Sequence, residues 1–558
     1  MKKYLFLAIA ALGFAACSDS DLNGGKDPIH KGEIEESYIA INLSASDITR
    51  AEGDPVFEDG TEAERKVHHA DFFFFDGDGN AFPVTIADGG VTSPGVAGGV
   101  NHLTATGLTF SKDSETTDGD DISDSSNAVL LLKTYKGEYP SQIVAVLNWS
   151  PDPSTAYSLG ELKQAVNLVG SGNAENHFIM SNAVYAQGST EMYATPLTID
   201  NIKNNADAAK ASPVTIYVER VAAKVTVNIP ADKLTNGYDL DKEYVPASGG
   251  PAQKVYAQVL GWDLYRDNTQ SYLLKHIDSS WVNSSDFSDP KNVGFNWNDP
   301  AWYRSYWATS LDAPTTDPIY GTSPFAVGKT AYIGENTTEN NTKVVIKAKL
   351  VNAGGTAVEI AHWNNVEYAG NLALRTAVAN TLKNTYYALN GTTYTGILPD
   401  DLQCVAGGSE GAPTGVKANE VYFQLSADGK NKDWYKLVNG EYKNVADNIA
   451  NDQKSTDAMN AALKSVPSAV LYTNGETFYY VDIKHLGAAN SAAEFGIVRN
   501  HAYNITINSI KGYGSPVYTG TEFVDYPSTP DQNTFVSAKI NILSWRLVDQ
   551  EVDIQPQS

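Results

Sequence analysis

Between Tyr217 and Ile229 apolar and polar residues alternate without a break. Val221, Ala223, Val225, Val227 and Ile229 fall on one side; Arg220, Lys224, Thr226 and Asn228 fall on the other. A period of two is the mark of a β-strand, whose successive side chains point to opposite faces. One apolar and one polar face place such a strand in an antiparallel sheet with one buried and one wet side, as in a sandwich. Pro230 stops the strand, and the polar, Gly-rich stretch 231–251 reads as a domain boundary. Comparable patterns recur at 255–265, 343–350, 478–483 and 501–510. The composition agrees: 31 Tyr stand against 4 Met, with abundant Gly, Thr, Asn and Asp, a mix that favours strands and tight turns over helices. At 558 residues the chain is too long for one core. The expected fold class is mainly β, with two antiparallel β-sandwich domains and a few short helices.

The N-terminus has a different grammar. Lys2-Lys3 is a basic start, Tyr4 to Phe14 an apolar run too short to span a bilayer, and Ala15-Ala16-Cys17 a small-residue ending. This is the layout of a secretory signal, and small-small-Cys resembles a bacterial lipobox with Phe14 in place of the usual Leu. Cleavage before Cys17 and lipidation of its thiol are expected, with acyl chains as the only membrane anchor. A plain signal peptide with an incidental cysteine is the alternative. Residues 18–36 are polar and Gly/Pro-containing, as a flexible tether is.

The first strand follows. Ile39, Ile41 and Leu43 share one parity; Tyr38, Ala40 and Asn42 share the other. A polar loop containing Arg50-Ala51 comes next. Asp71-Phe72-Phe73-Phe74-Phe75 reads as a strand buried on both faces, with Asp76-Gly77 turning the chain. Asp76, Asp78 and Asn80 copy the start of a calcium loop, but Ala81 and Ala87 stand where its Gly and Glu belong, so a turn is expected. Further strands are expected at 128–135 and 143–148. The capping box Ser158-Leu159-Gly160-Glu161 predicts a short helix with Leu159, Leu162, Val166 and Val169 on one face, and 371–382 a second helix.

The formal net charge of −26 repels phosphate backbones and excludes nucleic acid as a natural partner. No H-E-x-x-H motif or phosphate loop stands in the sequence, and neither enzyme activity nor a cofactor or metal is expected. Two cysteines cannot make a disulfide framework, and with Cys17 lipidated Cys404 remains as a lone thiol, expected as a small buried hydrophobe. Trp281, Trp297, Trp302 and Trp307 lie within 28 residues. They form either a sugar-stacking platform, which would make the chain a surface glycan-binding lipoprotein, or packing beneath a long loop.

At the far end, after a turn-rich linker with Pro516, Pro527 and Pro530, comes another regular strand. Val536, Ala538, Ile540 and Ile542 share one parity; Ser537, Lys539 and Asn541 share the other. A terminal strand this regular needs a sheet to join, either its own or a neighbouring molecule's.

Several segments together resemble a known family. Tyr217-Val218-Glu219-Arg220-Val221-Ala222-Ala223-Lys224-Val225, Tyr332-Ile333-Gly334-Glu335-Asn336-Thr337 with Thr342 to Ala348, Ile497-Val498-Arg499-Asn500-His501-Ala502-Tyr503, and the ending Trp545-Arg546 through Val552-Asp553-Ile554 are similar to segments of Bacteroidales fimbrilins. The short, Mfa-type fimbriae are the nearest in pattern. The resemblance implies two transthyretin-like sandwiches, export to the outer membrane as a lipoprotein, and cleavage by an Arg-specific protease after the first strand. It also implies that the groove left by that strand is filled by the next subunit's C-terminal strand, giving an extracellular adhesive filament of identical copies with accessory fimbrial subunits. Mapped here, the cut falls at Arg50-Ala51, the removable strand carries Ile39, Ile41 and Leu43, and the donor strand carries Val536, Ala538, Ile540 and Ile542. The expected divisions are 1–17 signal, 18–50 tether and removable strand, 51–230 and 231–515 the two sandwiches, and 516–558 linker and donor strand. Refilling such a groove with three or four aliphatic side chains would supply on the order of 5–12 kcal/mol before ordering costs.

Overall fold

The computed structural model describes residues 34–44, 56–57, 61–86, 99–106, 111–112, 124–168, 177–187, 190–246, 250–276, 315–316, 325–336, 342–418, 420–446, 455–485, 495–517, 535–543 and 546–551. Strands dominate them. The first large sheet is built from β1 (Ile34–Ser44), β3 (His69–Phe75), β4 (His102–Thr106), β5 (Ser111–Lys112), β6 (Asp124–Tyr135), β7 (Gln142–Leu147), β8 (Met180–Asn182) and β9 (Val214–Arg220). A two-residue strand, β2 (Val56–Phe57), lies between β1 and β3 in the chain but belongs to another sheet. The spatial order is β4-β3-β7-β8-β9-β1-β6-β5. One apolar core collects Ile39 and Ile41 of β1, Phe72 and Phe74 of β3, Leu130 and Leu132 of β6 and Ile216 and Val218 of β9. The alternate residues Phe73 and Phe75 enter a second cluster with Val144, Val146 and Phe178, so β3 is buried on both faces as its aromatic run requires. The turn after it is closed from within: the Asp76 carboxylate accepts from the Asp78 and Asn80 amides and from Asn80 Nδ2, and Gly79 sits at φ +80°.

The alternating stretch 217–229 is two strands. β9 ends at Arg220, Val221-Ala222 cross over, and β10 (Ala223–Asn228) enters the second large sheet. Hydrogen-bonded pairing thus changes sheets ahead of Pro230, where the sequence suggests a division. The expected wet face is wet only in part: Arg220 and Lys224 are 9% and 8% exposed at the covered crossover, whereas Thr226 is half-buried and Asn228 exposed. The other strands here are β11 (Gln253–Tyr265), β12 (Thr330–Ile333), β13 (Lys343–Val351), β14 (Glu476–Asp482), β15 (Ala502–Lys511), β16 (Phe535–Leu543) and β17 (Arg546–Glu551). One sheet runs β2-β17-β16-β15-β10-β12; the facing sheet runs Tyr238–Tyr244, β11, β13, β14 and Ser515–Pro516. Val225, Val227, Tyr503, Ile505 and Ile507 from the first meet Val255, Trp262, Ile346 and Tyr479 from the second in one core, which is a β-sandwich.

Two features depart from the sequence reading. Pairing is largely antiparallel, yet each large sheet contains a parallel pair, β1 with β9 and β10 with β15. The helix expected over 158–169 is a single capped turn, in which the Glu161 carboxylate accepts from Ser158 N and Ser158 Oγ donates to it, followed by a short strand Ala165–Asn167 pairing with Gln270–Tyr272. Val169 lies outside the described residues. A distant partner strand outweighs a local cap followed by glycine.

A third unit was not foreseen. β13 and β14 are ladder neighbours, but the chain between them forms a separate core. There α1 (Glu62–Arg65) has no part; α2 (Gly370–Leu382) supplies Leu374 and Val378 to pack with Trp363, Phe423 and Trp434.

Candidate assembly groove

β1 is an interior strand. It pairs antiparallel with β6 along its whole length, from Ile34 opposite Tyr135 to Ser44 opposite Ser125, and parallel with β9 from Ile41 opposite Val214 to Ser44 opposite Tyr217. Where β9 has not yet begun, Tyr38 exchanges two backbone hydrogen bonds with Lys203 at 2.6 and 2.8 Å. Ile39 and Ile41 are fully buried, and Ala40 nearly so on the opposite face. Leu43 is placed by its backbone opposite Ile216 and Ser126; its side chain lies outside the described residues. Side-chain contacts add to this at the start of the strand: Lys133 Nζ lies 3.1 Å from Glu36 Oε1, and Tyr139 Oη donates to Glu35 Oε2 at 3.3 Å. Withdrawing β1 would leave β9 and β6 with unpaired backbone groups and uncover Leu130, Leu132, Ile216 and Val218. The vacancy is a slot lined by two edges and an apolar floor.

The sequence-expected donor strand is β16. It pairs antiparallel with β15 of its own chain: Ile542 stands opposite Tyr503, Ile540 opposite Ile505, Ala538 opposite Ile507 and Val536 opposite Ile510. All four β15 partners are fully buried. Of the two sheets the sequence left open to this strand, the single chain uses its own. Cys17, Arg50, Ala51 and the four tryptophans from Trp281 to Trp307 lie outside the described residues. Cys404 is in the inserted unit, its thiol donating to Asn371 Oδ1 at 3.4 Å and pushed up to about 12 by burial, which leaves no thiolate for nucleophilic work.

Between slot and donor sheet lies an ionic junction whose members no local sequence pattern brings together. Glu219 at the end of β9, Lys275, Glu335 and Arg499 are all essentially inaccessible. Lys275 Nζ donates to Glu219 Oε2 at 3.1 Å, and Arg499 Nη2 to Glu335 Oε2 at 2.7 Å. Arg499 also donates to the Leu273 and Tyr272 carbonyls and to Ser271 Oγ. Two positive and two negative groups balance. Burial pushes the Glu219 carboxyl up and the Lys275 ammonium down, each opposed by its partner's charge. Beside this cluster Arg220 Nε donates to the Glu64 carbonyl and Arg220 Nη1 to Asn500 Oδ1, while Glu64 takes Lys224 Nζ at 2.9 Å and Tyr332 Oη at 2.6 Å. Burial alone would raise the Glu64 carboxyl; the hydrogen bonds from Tyr332, Lys224 and the Thr61 amide outweigh it and hold the group below its ordinary range. Three of the quoted segments, around Glu219-Arg220, Glu335 and Arg499-Asn500, therefore meet at one place. Gly334 belongs there too, since any Cβ would collide with the Gln270 carbonyl. Among the described residues there is no cluster of metal-ligating side chains, and no helix is long and apolar enough to cross a membrane.

Residues 470–551 match the family model described as major fimbrial subunit protein type IV, fimbrillin, C-terminal. That stretch is similar to a fimbrillin C-terminal region. The region spans β14 through β17 and includes Arg499, so both the donor-type strand and one pole of the junction belong to it. Solved structures similar to the chain include a fimbrilin from Porphyromonas gingivalis, 14% identical over 90% of this chain and 96% of its own, with a TM-score of 0.32. A fimbrial assembly protein from Parabacteroides distasonis is 11% identical over 72% and 100%, at 0.29. The tip fimbrial protein Mfa3 from Porphyromonas gingivalis, with C-terminal truncation, is 12% identical over 90% and 99%, at 0.28. These are distant likenesses, and the family match stands without them. No curated protein sequence matches the chain.

Proposed function

We propose that the chain is a structural, non-enzymatic subunit of a cell-surface fimbria that supports adhesion. In this reading it is exported as a lipoprotein through Cys17 and held at the outer membrane by its acyl chains. An Arg-specific protease cuts between Arg50 and Ala51, β1 leaves with the propeptide, and β16 of the next copy enters the slot. Copies add head to tail, and because the contact does not close on itself it propagates as a fibre that accessory subunits begin and end. The fimbrillin region at 470–551 carries the reading. The interior position of β1 supports the exchange: both neighbouring strands demand a replacement of the same length and parity.

Treatment of the purified precursor with Arg-specific protease is expected to give a new N-terminus at Ala51 and a ladder of multimers on gels of unboiled sample. Arg50→Ala should stay monomeric. Normal polymerisation of Arg50→Ala would overturn the cleavage step.

A further inference from the structure

The segment just downstream of Arg50-Ala51 pairs with the C-terminal hairpin. β2 lies on the outer edge of β17, with Val56 opposite Leu547 and Phe57 opposite Arg546, while β17 pairs with β16 from Lys539 opposite Glu551 to Ile542 opposite Val548. The order β2-β17-β16-β15 makes β2 the cover of an edge that would otherwise be bare. Resting on the proposed cleavage and exchange, we propose that β2 is a latch on the donor hairpin: one cut at Arg50 both frees the slot and loosens the strand destined to fill the next one.

Two ladder positions cannot hold a strand by themselves. β2 stays because the chain is fixed on either side. Upstream, residues 45–55 connect it to β1, locked along its length against β6. Downstream, α1 begins five residues later with a reciprocal capping box, Thr61 N donating to Glu64 Oε2 and Glu64 N to Thr61 Oγ1, and Glu64 is seated on Lys224 and Tyr332. Fixed ends keep the local concentration of β2 at the β17 edge high. Cutting at Arg50 removes one anchor and turns β2 into a free N-terminal end, the kind of segment that frays. Among the described residues, the ladder the hairpin then keeps is the one to β15. An uncut subunit has its slot filled and its hairpin covered, so neither half of the exchange starts early.

The test is hydrogen exchange of residues 535–551 in the full-length precursor, intact and after cutting, with β7 as internal reference. Cutting is expected to speed exchange in 535–551 about tenfold or more, the size expected for losing one or two backbone hydrogen bonds, and to leave β7 unchanged. Val56→Pro/Phe57→Pro in the Arg50→Ala chain should speed it equally without any cut. A Val56→Cys/Leu547→Cys disulfide should keep exchange slow in cut protein and block assembly until reduced. Equal exchange in intact, cut and proline-substituted protein, or undiminished assembly of the oxidised cross-link, would overturn the latch. Faster exchange after cutting with no multimer formed would support the latch while counting against the filament reading.

Discussion

Arg499 shows what the sequence says and what it withholds at the scale of one residue. Its place in a family-like motif is plain, but its partners lie at Glu219, Ser271, Tyr272, Leu273 and Glu335, and no local pattern announces distant partners. The planar guanidinium offers five donors in a fixed fork, against three on a lysine ammonium. Arg499→Ala is expected to cost about 3–5 kcal/mol in urea unfolding, because it strands buried carboxylates, and Arg499→Lys to recover only part of it. Glu64 offers a pH test. Its folded pKa lies below the unfolded value, so the stability it contributes is complete above the ordinary glutamate range and is lost as pH falls through the folded value. Unfolding of the native chain should therefore weaken on acidification more than that of Glu64→Gln. Parallel acid limbs for the two proteins would remove Glu64 from that role.

Elements were legible where period and burial agreed. β3, β6, β7, β11, β13 and α2 stand close to where alternation or amphipathy puts them. The turn at 158–163 was misread because its cap is real but a strand partner at Gln270–Tyr272 claims the residues that follow. The polar parity of β9 and β10 looks solvated because charged residues ordinarily are; at the covered crossover Lys224 instead pairs with Glu64, and Arg220 donates to the Glu64 carbonyl and to Asn500. β1 reads as an ordinary core strand, and by packing it is one. Ile41→Ala should destabilise the uncut precursor by about 2–5 kcal/mol, as a buried large-to-small change does. In the proposed filament the residue has gone with β1, so thermal stability of assembled material should be unaffected. A matching loss in both states would mean that β1 stays.

At the scale of the whole molecule, two sandwiches were readable from strand periodicity, while the unit between β13 and β14 was not: sequence distance hides that those strands are neighbours. The same blindness covers β16, whose apolar parity was clear but whose sheet was not. In the single chain it gives up a nine-position ladder to β15 on leaving, and the slot offers eleven positions on β6 and four on β9. The slot thus offers more backbone pairing than is given up, and the apolar floor that loss of β1 uncovers adds to it. Deleting residues 534–558 should leave a folded protein that accepts a strand but cannot donate one, so chains stop wherever it is added; undisturbed elongation would rule out β16 as donor.

The central claim is that β1 is present in the folded precursor and absent from the working form. N-terminal sequencing of the mature protein taken from the cell surface tests it most directly. A start at Ala51 is the predicted result; a lipid-blocked start at Cys17 in assembled material would contradict it.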